Sequence, residues 1–196
     1  MSTSVLAATT LKTLPFDRAV ALVDEGAAFV DLRPIAAYLE VHVPGSLALL
    51  YEAGPGMAGR ARDCIPLSQA LILLADEAAH MGNAAAALRG KGFPVLGQVE
   101  DAINAWSAAR GSPASTEVVG DPQPPEGTLL HVGDPGVGPQ EGALHIPVER
   151  LWERVTEVPE GSVVLLSGYG VRAGLAVGIL ERAGRDVRVW QRSPRP

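Results

Sequence analysis

Apolar positions along the first half of the chain alternate between two rhythms. Over residues 17–25, Ala19, Val20, Leu22 and Val23 recur at helical spacing, with Pro15 just before them and Gly26 just after. That spacing predicts a short helix. Residues 27–32 form an almost unbroken apolar run, the pattern of a buried strand. One or two helical turns are expected over 34–41. A loop is expected through Gly54, Pro55 and Gly56 and the arginines that follow. Residues 70–75 read as the next strand and 78–89 as an alanine-rich helix stopped by Gly90 and Gly92. Residues 93–96 read as a short strand, and 99–109 as a helix carrying Ile103 and Trp106.

Residues 111–127 break the pattern. Pro113, Pro122, Pro124 and Pro125 with interspersed Gly, Ser and Thr make this stretch read as a linker. The rhythm then restarts, with a strand over 128–132, a helix over 148–155, a strand over 163–166, a helix over 171–183 and a strand over 187–190. Strands alternating with helices predict parallel sheets with helices on both faces. The second run also repeats the first. Leu71, Ile72, Leu73, Leu74 and Ala75 align with Val163, Val164, Leu165, Leu166 and Ser167. Without a gap, Leu88 then falls on Leu180 and Gly92 on Gly184. Gly45-Ser46-Leu47 aligns with Gly142-Ala143-Leu144, and Asp31 with His131. The helix carrying Trp106 has no counterpart after Trp190. The expected organisation is a first α/β domain over 12–111, a linker over 112–127 and a shortened second domain over 128–196.

Composition narrows the chemistry. Hydrophobic residues make up 47% and aromatics only 5%, so the core must be aliphatic. A net charge of −6 argues against sequence-independent nucleic-acid binding. Cys64 is the only cysteine, which excludes an internal disulfide and a cysteine-based metal cluster. The four histidines are scattered without the spacing of a helical metal site, so neither a metal nor a cofactor is expected. The first residues carry no basic stretch and no apolar run reaches bilayer length. A cytoplasmic chain without a membrane partner is therefore expected.

Ligands of parallel α/β sheets bind at the carboxyl ends of the strands, where helix N-termini present backbone amides. At these places the sequence resembles a known family. Asp31-Leu32-Arg33, then Tyr38, then His42-Val43-Pro44-Gly45-Ser46, and later Gly97 with Ala102, Ala105 and Trp106, are similar to the signature of rhodanese-like domains. The resemblance covers most of residues 12–111. A weaker one covers Val163 to Gly184. It implies tandem rhodanese-like domains and sulfur transfer through a persulfide on a loop cysteine, whose pKa is lowered by loop amides and an arginine.

The chain departs from the family at that cysteine. The resemblance puts it at Ala75 in the first copy, followed by Asp76 and Glu77, and at Ser167 in the second. Alanine has no nucleophile, and a serine hydroxyl cannot form a sulfur–sulfur bond. The second loop, Ser167, Gly168, Tyr169, Gly170, Val171 and Arg172, keeps its glycines, and Arg172 falls on the family's arginine. It is the sharpest candidate for binding a small anion such as thiosulfate, sulfate or phosphate. A relic turn with no ligand is the competing expectation. A serine hydrolase would need His131 or His145 as base, and the glycine spacing is wrong for a nucleotide fingerprint.

Asp31, Arg33, His42, Gly45 and Trp106 are expected to be structural. Cys64 lies before its strand rather than after it. It reads as a buried apolar residue unless it is exposed and beside a cation such as Arg60 or Arg62. The leading expectation is a rhodanese-like protein without the cysteine mechanism that binds an anion or a protein partner. The alternatives are a sulfurtransferase or persulfide carrier using Cys64, and a structural or homodimerising module with no ligand.

Overall fold

Seven helices and nine strands are seen in the computed structural model, which describes residues 11–51, 56–74, 78–133, 142–166 and 170–191. The first unit runs α1 (Phe16–Asp24), β1 (Ala28–Asp31), α2 (Ile35–Glu40), β2 (Leu47–Ala48), α3 (Gly56–Cys64), β3 (Leu71–Leu74), α4 (Ala78–Gly90), β4 (Val95–Val99) and α5 (Ala102–Arg110). The second runs β5 (Val118–Val119), β6 (Thr128–His131), β7 (Leu144–His145), α6 (Val148–Arg154), β8 (Ser162–Leu166), α7 (Val171–Arg182) and β9 (Asp186–Trp190). A single 3-10 turn, Val155–Glu157, follows α6.

The repeat survives as topology. The first sheet has the order β2-β1-β3-β4 and the second β5-β9-β8-β6-β7, with every pair parallel. Read from β7, the second sheet repeats the order of the first. The registers agree too: Asp31 faces Ala48 and Leu74, and His131 faces His145 and Leu166. Each sheet gains a short fifth segment from the chain preceding its unit. Thr13 bridges Gln98 on β4, and β5 pairs with β9. The segment expected to be a linker thus supplies β5 and the bridge from Ala114 to His42.

Strand residues point alternately to the two faces of each sheet, and this divides the core. Phe29, Ile72, Leu74 and Val99 point toward α1 and α5, where Ala19, Val20 and Ala102 are buried. Trp106 packs half-buried against this cluster and meets Phe16 edge-on, at 6.4 Å between ring centres. The opposite face, with Ala28, Val30, Leu71 and Leu73, belongs to a core that also takes in Leu130, Val163, Leu165, Val187 and Val189 of the second sheet. Between the two sheets lies α7, whose residues from Ala173 to Leu180 are all buried. A Cβ added at Gly178 would sit 2.1 Å from the Ser46 carbonyl oxygen, so only glycine lets α7 lie directly on the backbone beside β2. On its far face the second sheet carries a smaller cluster of Val164, Leu166 and Trp190, and the Trp190 indole donates to the Asp121 carbonyl.

Two expectations are corrected. Residues 56–64 are helix α3, not loop, so Arg60 and Arg62 stand on a helix. The face of α3 is built from Met57, Ala58, Ala61 and Cys64, an i, i+1, i+4, i+7 stripe that is buried. Gly56 and Gly59 have low helix propensity and concealed it, and tertiary burial overrides that propensity. The strand expected over 93–96 is β4 at Val95–Val99. Gly97 and Gln98 interrupt the apolar pattern there, yet a Cβ at Gly97 would lie 2.5 Å from the Lys12 carbonyl oxygen. The glycine is what admits the preceding chain segment alongside the strand.

Candidate functional site

Strand β8 ends at Leu166 and α7 begins at Val171. Of the six loop residues singled out in the sequence, Ser167, Gly168 and Tyr169 lie outside the described residues, as does Ala75 in the first unit. Gly170, Val171 and Arg172 are described. Gly170 precedes α7 in extended conformation, and among the described residues no side chain caps the helix.

These three residues line a cavity of about 560 Å³. Its opposite wall comes from the first unit: Gly56, Gly59, Arg60, Asp63 and Cys64, all on α3. Val148 and Glu149, from the first turn of α6, close a third side, and Leu175 adds an apolar patch. The fold therefore brings Cys64 to the same cavity as Arg172, although they are far apart in sequence. Part of the reason is the duplication: α3 and α6 follow the equivalent strands β2 and β7, and the two helices pack on one another.

Cys64 meets half of the requirement for reactivity. Arg172 and Arg60 lie near enough to favour its thiolate, but the residue is only 4% exposed. Burial, followed by the Glu149 and Asp63 carboxylates, pushes its pKa up to about 12. Arg172 is engaged as well, since its guanidinium donates to Glu149 Oε1 at 2.5 Å. Both side chains are about one-third exposed, at 36% and 34%. The cavity thus carries two cations and two carboxylates.

The signature residues of the first unit lie elsewhere and hold structure. Arg33 donates through Nε and Nη2 to both oxygens of the buried Asp31 and through Nη2 to the Val41 carbonyl at 2.6 Å. Asp31 Oδ1 also accepts the Arg33 backbone N–H at 2.9 Å. Tyr38 donates its hydroxyl to the Ser46 carbonyl at 2.7 Å. Burial, then the Glu181 and Asp31 carboxylates, pushes that phenol well above its ordinary pKa. The His42 ring, fully buried, stacks on Tyr38 at 4.1 Å. Its Nδ1 lies 2.8 Å from the Tyr38 carbonyl and its Nε2 3.0 Å from Glu181 Oε1 on α7. The same carboxylate accepts the backbone N–H of Gly45 at 2.8 Å, from a turn in which Gly45 has φ +71°. His42 and Gly45 therefore clasp the first unit to the central helix of the second.

Glu149 and Glu181 were not singled out in the sequence. Glu149 is an acidic residue in a first helical turn, a common pattern with a bland explanation, and Glu181 sits in a polar helix end. Nothing local marks either as a partner of Arg172 or His42. In the second sheet His131 and His145 face each other across β6 and β7, 4.9 Å between ring centres. Burial and the neighbouring His145 lower the His131 pKa. Among the described residues no group of three or more His, Cys, Asp or Glu could hold a metal ion, and no helix is long and apolar enough to cross a membrane.

No family model and no curated protein matches the chain. Several solved structures are similar to it at low identity. A thiosulfate sulfurtransferase from Pseudomonas aeruginosa aligns at 16% identity and a TM-score of 0.42 over 92% of this chain, which spans only 43% of that enzyme's length. A 3-mercaptopyruvate sulfotransferase with the rhodanese fold, SseA from Escherichia coli, aligns at 14% and 0.43, covering 94% of this chain and 99% of the other. A probable thiosulfate sulfurtransferase aligns at 22% and 0.33, covering 86% and 93%. On its own evidence the chain holds two parallel α/β sheets that share one strand order and register, with the residues from Asp31 to Gly45 placed around the first.

Proposed function

We propose that this chain is a rhodanese-like protein that does not turn over sulfur through a cysteine persulfide and instead binds a small oxyanion in the cavity between α3, α6 and α7. One observation carries the reading. The cavity lies at the first turn of α7, and it receives one arginine from each unit, Arg60 and Arg172. The amides of the first turn of α7 add partial positive charge on the same side.

The state of the thiol supports the first half of this reading. Sulfur transfer needs a thiolate to attack a sulfur atom and release a leaving group. With a pKa of about 12, Cys64 would be ionised in only about one molecule in 10⁵ at neutral pH. No other cysteine exists to take its place.

Titration calorimetry with sulfate, thiosulfate and phosphate tests the binding. The wild type is expected to bind at least one of them, and Arg172→Ala to weaken that binding at least tenfold. A thiosulfate:cyanide sulfurtransferase assay tests the chemistry, and no turnover above the protein-free rate is expected. Turnover that disappears in Cys64→Ser would return the assignment to an active sulfurtransferase. Binding of none of the three anions would leave a structural module.

A further inference from the structure

The cavity already holds an anion of its own. Glu149 places a carboxylate oxygen 2.5 Å from Nη1 of Arg172, on the same cavity wall where an incoming oxyanion would meet that guanidinium. The pair is neither deeply buried nor fully solvated, each side chain being about one-third exposed. A contact of that kind is strong enough to compete with a ligand and open enough to be exchanged for one.

We propose that Glu149 is a built-in competitor for the oxyanion site: it occupies Arg172 in the empty protein, and a ligand enters by displacing it. This inference rests on the anion-binding reading above and adds the rule of selection. A divalent oxyanion offers Arg172 and Arg60 more charge and several acceptor atoms, and so replaces the carboxylate. A monovalent halide offers one charge and no paired acceptor geometry, and does not. Asp63 lines the same cavity on α3 without a place in the Arg172 contact, so it serves as a charge-matched comparison.

The geometry of α6 makes the test clean. Val148 and Leu151 bury the helix in the core, while Glu149 projects into the cavity and is partly solvated. Removing its charge leaves the packing in place, and equal thermal midpoints for the variants and the wild type check this.

Calorimetric titration with sulfate, with and without sodium chloride, reads the effect in the full chain. Glu149→Gln and Glu149→Ala are each expected to bind sulfate at least tenfold more tightly than the wild type. Both are also expected to become sensitive to chloride as a competitor. Asp63→Asn, which removes the same charge, is expected to change sulfate affinity less than threefold. Equal affinity in the wild type and both Glu149 variants overturns the inference and leaves the anion-binding reading standing. An equal gain in Asp63→Asn also overturns it, because net charge alone would then suffice. Failure of the wild type and every variant to bind sulfate, thiosulfate or phosphate overturns both.

Discussion

Cys64 illustrates how a residue's neighbours decide its chemistry. Two arginines favour its thiolate, but burial and two carboxylates outweigh them. Near neutral pH it should react with iodoacetamide far more slowly than a cysteine in an unstructured peptide, as mass spectrometry of the intact chain would show. The same shift makes stability depend on pH. The unfolded chain loses this proton near its ordinary value of 9.0, whereas the folded chain keeps it to about 12. Between those values the folded state binds more protons. The contribution is therefore complete below pH 9.0 and lost as the pH rises toward 12, at ~1.4 kcal/mol per pH unit inside that window. Urea denaturation across the window should show the wild type losing stability with pH more steeply than Cys64→Ala, the difference between the two being this slope. The burial of Cys64 was legible in the sequence as the usual fate of a cysteine outside the loop. Its meeting with Arg172 and Glu149 was not, because those groups arrive on α6 and α7 from the other unit.

Among the elements, α7 has the most demanding environment. Gly174 and Gly178 turn a bare backbone surface toward the first unit, with an added Cβ at Gly174 falling 2.9 Å from Ile35 Cδ1. Gly178→Ala would force a methyl group into the Ser46 carbonyl, and should destabilise the protein by about 1–3 kcal/mol, the range for overpacking, or more. One turn further along, Glu181 holds His42 and the Gly45 amide. Glu181→Ala leaves a wholly buried imidazole without that hydrogen-bond partner and should cost about 1–3 kcal/mol. Both losses would be read as shifts in the urea midpoint without a change in slope. The helical periodicity of α7 was plain in the sequence. That its glycines and its terminal glutamate face the other unit was not, since periodicity reports which positions are buried and is silent on what buries them. α3 shows the reverse. Its buried stripe was present in the sequence, but glycines and arginines masked it until packing supplied the reason to be helical.

At the scale of the whole molecule the two units share one core. The inner faces of both sheets and both sides of α7 belong to it. The 196-residue chain should therefore unfold in a single calorimetric transition, with calorimetric and van't Hoff enthalpies equal. A fragment ending at residue 111 would keep the first sheet but lose α7 from above β2 and α6 from beside α3. It should show no cooperative melting transition. A fragment that melted like a folded domain would show the units to be independent.

The sequence by itself determined the alternation of strand and helix, the duplication, and the lack of a cysteine at the positions where the family resemblance expects one. These are properties of local pattern and residue identity, which need no partner to be read. The tertiary structure alone decided that both copies share a strand order and register, that α7 lies between the two sheets, and that Arg60, Cys64, Glu149 and Arg172 meet at one cavity. Each of those depends on contacts between residues distant in the chain, and such contacts are fixed by the packing of one core rather than by the order of residues within any segment.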